Sequence, residues 1–549
     1  MDRRFVLAIV LMMVVLIVPS LIWKPKRPLL PDSSVVTTPV PPRAAEAAPA
    51  AGLVRAPVDT GAAGPGDTVR VSSSLYQFGF STRGGRLIEA MLPHYQSLNP
   101  TERGQPVQLL SPDSRLLQLS LLVGRDTLHL SDWRFTPSAP SLTVTQPSTL
   151  TMSAMRDSVG VELSYTFAPN DFRIGVAGRV TGAGPNGATL LVGMGPGLRN
   201  TESDSVGFGR ESGLVTKDTK STLKRFMELK VGEPIAINGP FEWVAVKSKY
   251  FVTALLAFDS TQAGVGRIGG VTAVTTDVAH KRPESANVTT SLSVPATGRF
   301  DFMLYVGPME HPRLREIGHD FDDINPYGWP GFRTIIRPVA EGARWLLVWF
   351  HDRLGLAWGL GLILFGVLIR VVLWPLNQKA MRASMQMQAV QPILKGIQEK
   401  YKSDPQRLQQ EMFKVYKEYK VNPFSGCWPM LLPWPVLLAL YFVFANTIEL
   451  RGASFLWLPD LSRPDPIYII PVLMGLSMFA VTRLGQRGLP PNPQMKAMLY
   501  IMPAMMTVLF LTFPSGLNLY YTVMNLASIP QQWMISQERL RKIGPTAAR

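Results

Sequence analysis

One arginine lies inside a long apolar stretch, where a positive charge has its largest effect. Arg370 is the only charged residue between 362 and 375. An arginine at the centre of a membrane span costs at least about 2.5–3.5 kcal/mol on insertion scales. No acidic residue occurs in the five C-terminal apolar segments to neutralise it. We therefore expect Arg370 to face water in a hydrated cavity. The alternative is that its long side chain snorkels to the cytoplasmic headgroups.

The last apolar segment carries polar residues at helical spacing. They recur every three or four positions and so share one helix face: Asn518, Tyr521, Asn525, Ser528 and Gln532. Such a stripe requires water or a polar partner. Hydrogen bonds between helices are one explanation. The other is that the stripe and Arg370 line one wet groove.

The preceding segment carries methionines at the same spacing. Met495, Met498, Met502 and Met505 fall on one face. Methionine is flexible and common at binding surfaces that accept many partners. This face is suited to contact with varied apolar segments, although ordinary packing against lipid or helices explains it as well.

Six apolar segments are long enough to cross a bilayer. The first covers 5–23, and the others are 354–376, 428–447, 466–482, 497–513 and 516–534. A cleaved signal peptide competes for the first segment. The length of the run, and the lack of a small-residue cleavage site before Lys24, favour an uncleaved anchor over 1–23.

Charge predicts the orientation of these segments. Lys and Arg outnumber Asp and Glu in 377–422, in 483–496 and in the basic tail 537–549, whereas the loop 448–465 is more acidic. The positive-inside rule then places both termini in the cytoplasm and residues 24–350 outside. The net charge of +16 follows from these loops, so we expect no sequence-specific nucleic-acid binding.

The outside region divides into three parts. Residues 24–66 form a Pro/Ala-rich linker, and 67–328 contain short β-type runs separated by turn residues, which predict an antiparallel sandwich. Residues 329–350 alternate apolar and charged positions. They predict an amphipathic helix in the membrane interface, with a domain-packing helix as the alternative. The single cysteine, Cys427, excludes an intrachain disulfide.

The loop 377–422 predicts a cytoplasmic helical hairpin. Ser403-Asp404-Pro405 is a helix start signal, so helices are expected over 379–401 and 405–420. A docking element is the functional interpretation, and a solvated basic loop that only sets topology is the alternative.

At these residues the chain resembles the YidC/Oxa/Alb family of membrane protein insertases, in its Gram-negative form with a large outside domain. The resemblance is dense over about 345–542. It includes Arg-Val-Val-Leu-Trp-Pro-Leu at 370–376 and further matches at 391–392, 421–429, 437–441, 458–461, 465–468, 513–517 and 520–521.

The resemblance implies a mixed fold: a five-helix core over 351–536 with a hydrophilic groove, and a β-supersandwich outside. It implies that Arg370 is the groove arginine and Tyr521 the last-helix tyrosine. We add Asn518, Asn525 and Gly366 to the substrate groove. The proposed substrate slide on the third and fifth spans comprises Trp428, Met430, Trp434, Met502, Met505 and Leu509.

This sequence departs from the family pattern at two places. The stretch 432–435 reads Leu-Pro-Trp-Pro where the family often has a glutamine, and Gly366 replaces a frequent hydroxyl one turn before the arginine. Both changes put the polarity of the groove in doubt. Asn518 is a candidate for compensating polarity.

The expected function is insertion and folding of membrane proteins in the inner membrane, with no catalytic residue, metal or cofactor. The expected partners are nascent membrane proteins, the Sec translocon, membrane lipids and, weakly through the cytoplasmic loops and tail, the ribosome. A transporter predicts inverted repeats and paired charges, and neither is evident in the sequence. A membrane-anchored enzyme acting on glycans predicts convergent carboxylates outside, which sequence alone cannot place.

Overall fold

The computed structural model describes residues 68–182, 187–258, 266–275, 283–328, 331–402, 404–419, 434–487 and 493–543. The predicted anchor 1–23 and linker 24–66 lie outside these residues, as does the end of the basic tail. The described chain consists of a β-rich part followed by a helical part. This division agrees with the mixed fold class that the sequence predicts.

The β-rich part is built from short strands joined mostly by tight turns. In chain order the strands are β1 (Thr68–Ser72), β2 (Gln77–Ser81), β3 (Leu87–Gln96), β4 (Pro106–Gln108), β5 (Leu119–Val123), β6 (Asp126–His129), β7 (Thr136–Pro137), β8 (Ser141–Thr143), β9 (Ser148–Arg156), β10 (Val159–Phe167), β11 (Arg173–Thr181), β12 (Ala188–Gly193), β13 (Gly213–Lys217), β14 (Ser221–Arg225), β15 (Ile235–Phe241), β16 (Trp243–Lys247), β17 (Phe251–Leu256), β18 (Ile268–Val274), β19 (Asn287–Val294) and β20 (Arg299–Pro308).

These strands form three sheets around a shared apolar core. The sheet orders are β4-β3-β2-β1-β8, β14-β13-β16-β17-β20-β11-β10-β9-β7 and β15-β18-β19-β12-β5-β6. Neighbouring strands are antiparallel except β1 and β8, which pair in parallel. Every residue of β16 and β17 is buried, as expected for strands covered on both faces. The predicted sandwich is therefore a set of sheets packed on a shared core, with β16 and β17 buried along their whole length.

Helices dominate after residue 310. Two short helices belong to the β-rich part or its edge, and the longer ones follow: α1 (Ser205–Glu211), α2 (His311–Ile317), α3 (Arg333–Leu354), α4 (Trp358–Lys400), α5 (Pro405–Glu418), α6 (Trp434–Asn446), α7 (Ile469–Gly485), α8 (Pro493–Phe510) and α9 (Ser515–Ile543). Short 3-10 turns lie at Phe321–Ile324 and Ile448–Leu450.

Within the described residues, one stretch is long and apolar enough to cross a bilayer by itself. It is Trp358–Lys379, at the start of α4. Shorter apolar stretches lie at Pro435–Phe444, Ile469–Gly485 and Lys496–Phe510. The six spans that hydropathy predicts are thus only partly visible as long apolar helices.

Helix α4 differs from its prediction at its C-terminal end. The sequence predicts a span ending near 376 and a separate helix from 379, but the structure has one helix of 43 residues. The helix continues through Pro375 and Pro392, so neither proline ends it before the turn that follows Lys400. Asp404 then begins α5, because its carboxylate accepts a hydrogen bond from the Arg407 amide at 3.1 Å.

The amphipathic helix α3 has one buried face and one exposed apolar face. Ile336, Ala340 and Leu347 are buried in a cluster shared with α6, so the domain-packing interpretation is partly correct. On the other side Ile335 and Trp345 remain 59% and 62% exposed. That exposed face is the one available to a membrane surface.

Ion pairs join α3 to the elements around it. Arg337 contacts Asp322 of the preceding 3-10 turn and Glu341 of its own helix. Arg344 contacts Glu449 at 2.9 Å in the loop after α6. Burial raises the pKa of the Glu449 carboxyl, and the Arg344 charge opposes that shift. Arg344 therefore favours the ionised form of this carboxyl against the effect of burial.

The loop between α6 and α7 is anchored in the β-rich part by Arg451. Its Nε donates to Glu202 Oε1 at 2.8 Å, its Nη1 to the Gln96 carbonyl at 2.7 Å and its Nη2 to the Thr201 carbonyl at 3.0 Å. The guanidinium also lies 5.4 Å from the centre of the Phe251 ring. The Arg451 and Glu202 side chains are only 5% and 8% exposed. This is a buried, multiply bonded docking contact.

We expect Arg451→Met to loosen this docking. The substitution leaves Glu202 buried without its charge partner, which destabilises a structure by roughly 3–5 kcal/mol. The measurement is hydrogen exchange of residues 447–468 together with thermal unfolding of the purified protein. Arg267→Met is the matched control, because its pair with Asp301 is 39% and 73% exposed and should contribute at most about 1 kcal/mol. Equal effects of the two variants would contradict the docking role.

Candidate functional site

Arg370 lies on the packed face of α4. Leu362, Phe365, Gly366 and Arg370 are buried, whereas Val371 and Val372 just beyond are more than half exposed. The Arg370 residue is 8% exposed. Its side chain is thus enclosed between helices. It is neither extended along the exposed face towards the headgroups nor open to solvent, as a wide hydrated cavity would require.

The partner of Arg370 is an amide on the last helix. Arg370 Nη2 donates a hydrogen bond of 2.6 Å to Gln531 Oε1. Gln531 is 1% exposed, and its Nε2 donates to the Trp374 carbonyl at 3.1 Å. The bonds fix the orientation of the amide, because a flipped amide would present N–H groups to the guanidinium and an oxygen to a carbonyl. Gln531 therefore bridges Arg370 and the backbone one turn further along α4.

Most of the guanidinium's hydrogen-bonding capacity remains unused by the described residues. A guanidinium has five N–H donors, and the Gln531 bond takes one of them. The Nε atom is buried and has no partner within the described part of the chain. Buried donors of a charged group are seldom left unbonded. The Arg370 guanidinium can therefore donate to a further hydrogen-bond acceptor.

A glycine permits the close approach of α4 to α9 at this level. A Cβ added to Gly366 would lie 3.0 Å from Val523 Cγ1 and 3.5 Å from the Tyr520 ring. Phe365 packs beside it, with its ring centre 5.9 Å from that of Tyr520. A glycine at position 366 thus has a packing reason in this chain.

The polar side chains of the predicted stripe on α9 form contacts between helices and within α9. Asn518 is fully buried and donates to the Phe510 carbonyl at 3.0 Å, so it closes the α8–α9 turn and does not line an open groove. Asn525 donates to Ser477 Oγ of α7 at 3.0 Å. Gln532 lies against Gly485 at the end of α7. The interhelical explanation is therefore correct for Asn518 and Asn525.

The other predicted groove and slide residues are more scattered. Tyr521 packs edge-on against Phe510, with ring centres 5.4 Å apart. Met502 and Met505 of α8 are half-buried, and Leu509 is 41% exposed. Trp428 and Met430 lie outside the described residues, and the Trp434 side chain, at the start of α6, is also not described.

Sequence reasoning missed Gln531. It follows Ser528 by three positions, which is as good a helical spacing as the four positions that led to Gln532. The sequence offered no basis for choosing between them. Gln531 and Arg370 are also 161 residues apart in the chain, so local spacing could not predict their contact.

The described residues include no group of three His, Cys, Asp or Glu side chains placed to hold a metal ion. The features that define this site are instead a buried arginine, an amide partner and an apolar surround. Together with the β-rich part, they are typical of a helical membrane protein that carries a large extramembrane domain.

Comparison with known proteins identifies the family. Residues 349–542 match the family described as 60Kd inner membrane protein, and residues 68–341 match the YidC periplasmic domain. The membrane protein insertase YidC of Chlorobaculum parvum is 30% identical over 98% of this chain and 94% of its own length. That of Cupriavidus necator is 31% identical over 90% and 88%. The chain belongs to the YidC family of membrane protein insertases.

A solved structure is also similar, a YidC insertase crystal structure with the first transmembrane domain resolved. It is 19% identical to this chain, covers 86% of it and 95% of its own length, and has a TM-score of 0.34. The matched periplasmic family places the β-rich part in the periplasm, and the inner-membrane family covers the helical part.

We expect Gly366→Ala to destabilise the protein. The added methyl group would press on Val523, whose branched side chain has few alternative rotamers, and overpacking of this kind costs about 1–3 kcal/mol. The measurement is thermal unfolding of the purified protein, followed by helical dichroism.

Gly396→Ala in the same helix is the matched control. No atom lies within 4 Å of a Cβ added there, and alanine favours a helix over glycine by about 1 kcal/mol. Its stability should be equal or higher. An equal gain in Gly366→Ala would contradict the close packing of α4 on α9.

Proposed function

We propose that this protein inserts and helps fold other membrane proteins in the inner membrane without carrying out a chemical reaction. The observation that supports this most directly is Arg370, a positive charge within an apolar helix whose bonded partner is a neutral amide. An acidic partner would neutralise the charge. An amide leaves it available to a negatively charged substrate segment.

The electrostatic part of the mechanism concerns the polar tail that a substrate must move across the bilayer. A charged group in hydrocarbon is costly, and an opposite charge in a low-dielectric site lowers that cost by several kcal/mol (about 4 kcal/mol at 4 Å for an effective dielectric constant of 20). Arg370 is therefore suited to attract acidic tails. Only 8% of it is exposed, so an arriving tail must displace part of its covering.

The hydrophobic part concerns the substrate's future transmembrane segment. Helix α8 presents Met498, Ile501 and Leu509 at 49%, 45% and 41% exposure, next to the half-buried Met502 and Met505. We propose that this surface, with Trp428, Met430 and Trp434, guides the segment into lipid. Burial of about 0.8 kcal/mol per CH₂ drives the transfer. Gly366 belongs to the α4–α9 contact that positions Arg370, whereas Tyr521 and Asn525 contact α8 and α7.

We also propose the topology that charge predicts: six spans, both termini in the cytoplasm and the β-rich part in the periplasm. The exposed face of α3, with Phe332 at 59% and Trp345 at 62% exposure, would then lie in the lipid interface. The hairpin α4–α5 would stand in the cytoplasm, where it and the basic tail give weak contact with a ribosome. Cooperation with the Sec translocon belongs to the same proposal.

Replacing Arg370 by alanine should impair insertion of substrates with acidic translocated tails. We expect a loss of at least about tenfold, equivalent to about 1.4 kcal/mol, because the charge that lowers the tail's transfer cost is gone. The measurement is protease protection of purified substrate after insertion into proteoliposomes that contain the full-length protein.

Two controls accompany this test. The same substrate with its acidic residues made neutral should insert equally well with both proteins. Arg382→Ala removes an exposed charge of the same helix and should leave insertion of the purified substrate within about twofold. Unchanged insertion of the acidic tail by Arg370→Ala would refute the electrostatic mechanism.

A further inference from the structure

Gln531 combines three properties that a mere packing residue does not need. It is 1% exposed, it accepts a hydrogen bond from Arg370, and it donates one to the Trp374 carbonyl. Arg370 and Trp374 are one turn apart on α4. A single α9 side chain therefore holds both the arginine and the helix that carries it.

The chemistry of an amide is required at this position. A carboxylate would accept from Arg370 with one oxygen, but its other oxygen would face the Trp374 carbonyl, where only a donor fits. An apolar side chain of similar length would leave both the guanidinium and the carbonyl without this partner. The side chain that satisfies both neighbours is neutral, so it leaves the arginine's charge uncompensated.

We infer that Gln531 is a positioning residue for insertion: it holds the Arg370 guanidinium in place by one N–H while leaving its charge and remaining donors free for an acidic segment of the substrate. This inference rests on the proposed function. It adds that a second residue, which contributes no charge, determines how well the arginine acts on the substrate.

The arrangement also predicts how substitutions at Gln531 differ from one another. In Gln531→Met the shape is nearly kept and both hydrogen bonds are lost, so Arg370 keeps its charge but loses its fixed position. In Gln531→Glu a fixed negative charge competes with the substrate's carboxylates. Both variants should reduce insertion of an acidic tail, and neither should affect a neutral tail to the same extent.

The test uses full-length protein in proteoliposomes and one substrate with either an acidic or a neutral tail. We expect Gln531→Met to reduce acidic-tail insertion by about tenfold, the effect typical of a lost hydrogen bond to a charged group. Gln531→Glu should reduce it at least as much. Insertion of the neutral tail should stay within about twofold. Gln532→Leu is the matched control: it removes the neighbouring amide, which lies against Gly485, and should leave both tails unaffected.

A double variant separates positioning from packing. If Gln531 acts through Arg370, then Arg370→Ala/Gln531→Met should insert the acidic tail no less well than Arg370→Ala alone, whereas independent roles would multiply the losses. Should Gln531→Met fail to accumulate, Gln531→Asn tests positioning in its place, because its amide is one CH₂ shorter and cannot reach both Arg370 and the Trp374 carbonyl.

Three results would overturn the inference: wild-type acidic-tail insertion by Gln531→Glu, equal loss for both tails in Gln531→Met, or multiplied losses in the double variant. Failure of the proposed function would be distinguished by a different result, full acidic-tail insertion by Arg370→Ala. A loss in Arg370→Ala with no loss in the Gln531 variants would reject the positioning role alone.

Discussion

A charge enclosed in an apolar helix needs a polar partner inside the bundle, and in this protein that requirement is met by Gln531. The hydrogen bond of 2.6 Å from Arg370 exists only because α4 and α9 approach closely, and Gly366 is the residue that leaves room for this approach. Polar satisfaction and close packing thus depend on each other. The polar contact to the arginine is supplied by the last helix.

The loop that docks on the β-rich part also contains a buried arginine that needs polar partners, but its partners are different groups. Arg451 is buried, but there it meets a carboxylate, two carbonyls and the faces of aromatic rings. Its charge is fully compensated, as suits a structural anchor. Arg451 thus has a carboxylate and two carbonyls as partners. Arg370, in the helical core, bonds an amide and keeps an Nε with no partner among the described residues.

The sequence predicted what depends on local pattern. Short β-type runs near Thr68, Leu119 and Val159 are strands in the structure, and the Asp404 cap begins a helix as expected. Contacts between residues far apart in the chain could not be predicted from local sequence pattern. The Arg451–Glu202 contact spans 249 residues, and its formation depends on how sheets pack, which one-dimensional spacing does not specify. The sequence shows that the apolar segments contain no acidic residue to pair with Arg370. It does not show which neutral polar residue pairs with Arg370 instead.

Helix α4 connects the Arg370 site to the α4–α5 hairpin. It is uninterrupted from Trp358 to Lys400, and Leu394 near its end packs with Val415 of α5. Arg370 and Leu394 are therefore separated by about 36 Å of one helix at 1.5 Å per residue. A continuous helix bends only gently unless a specific feature kinks it. Pro375 and Pro392 lie between these two residues, and proline is the usual cause of a kink. A bend at either proline therefore allows the hairpin to move while the Arg370–Gln531 contact stays in place.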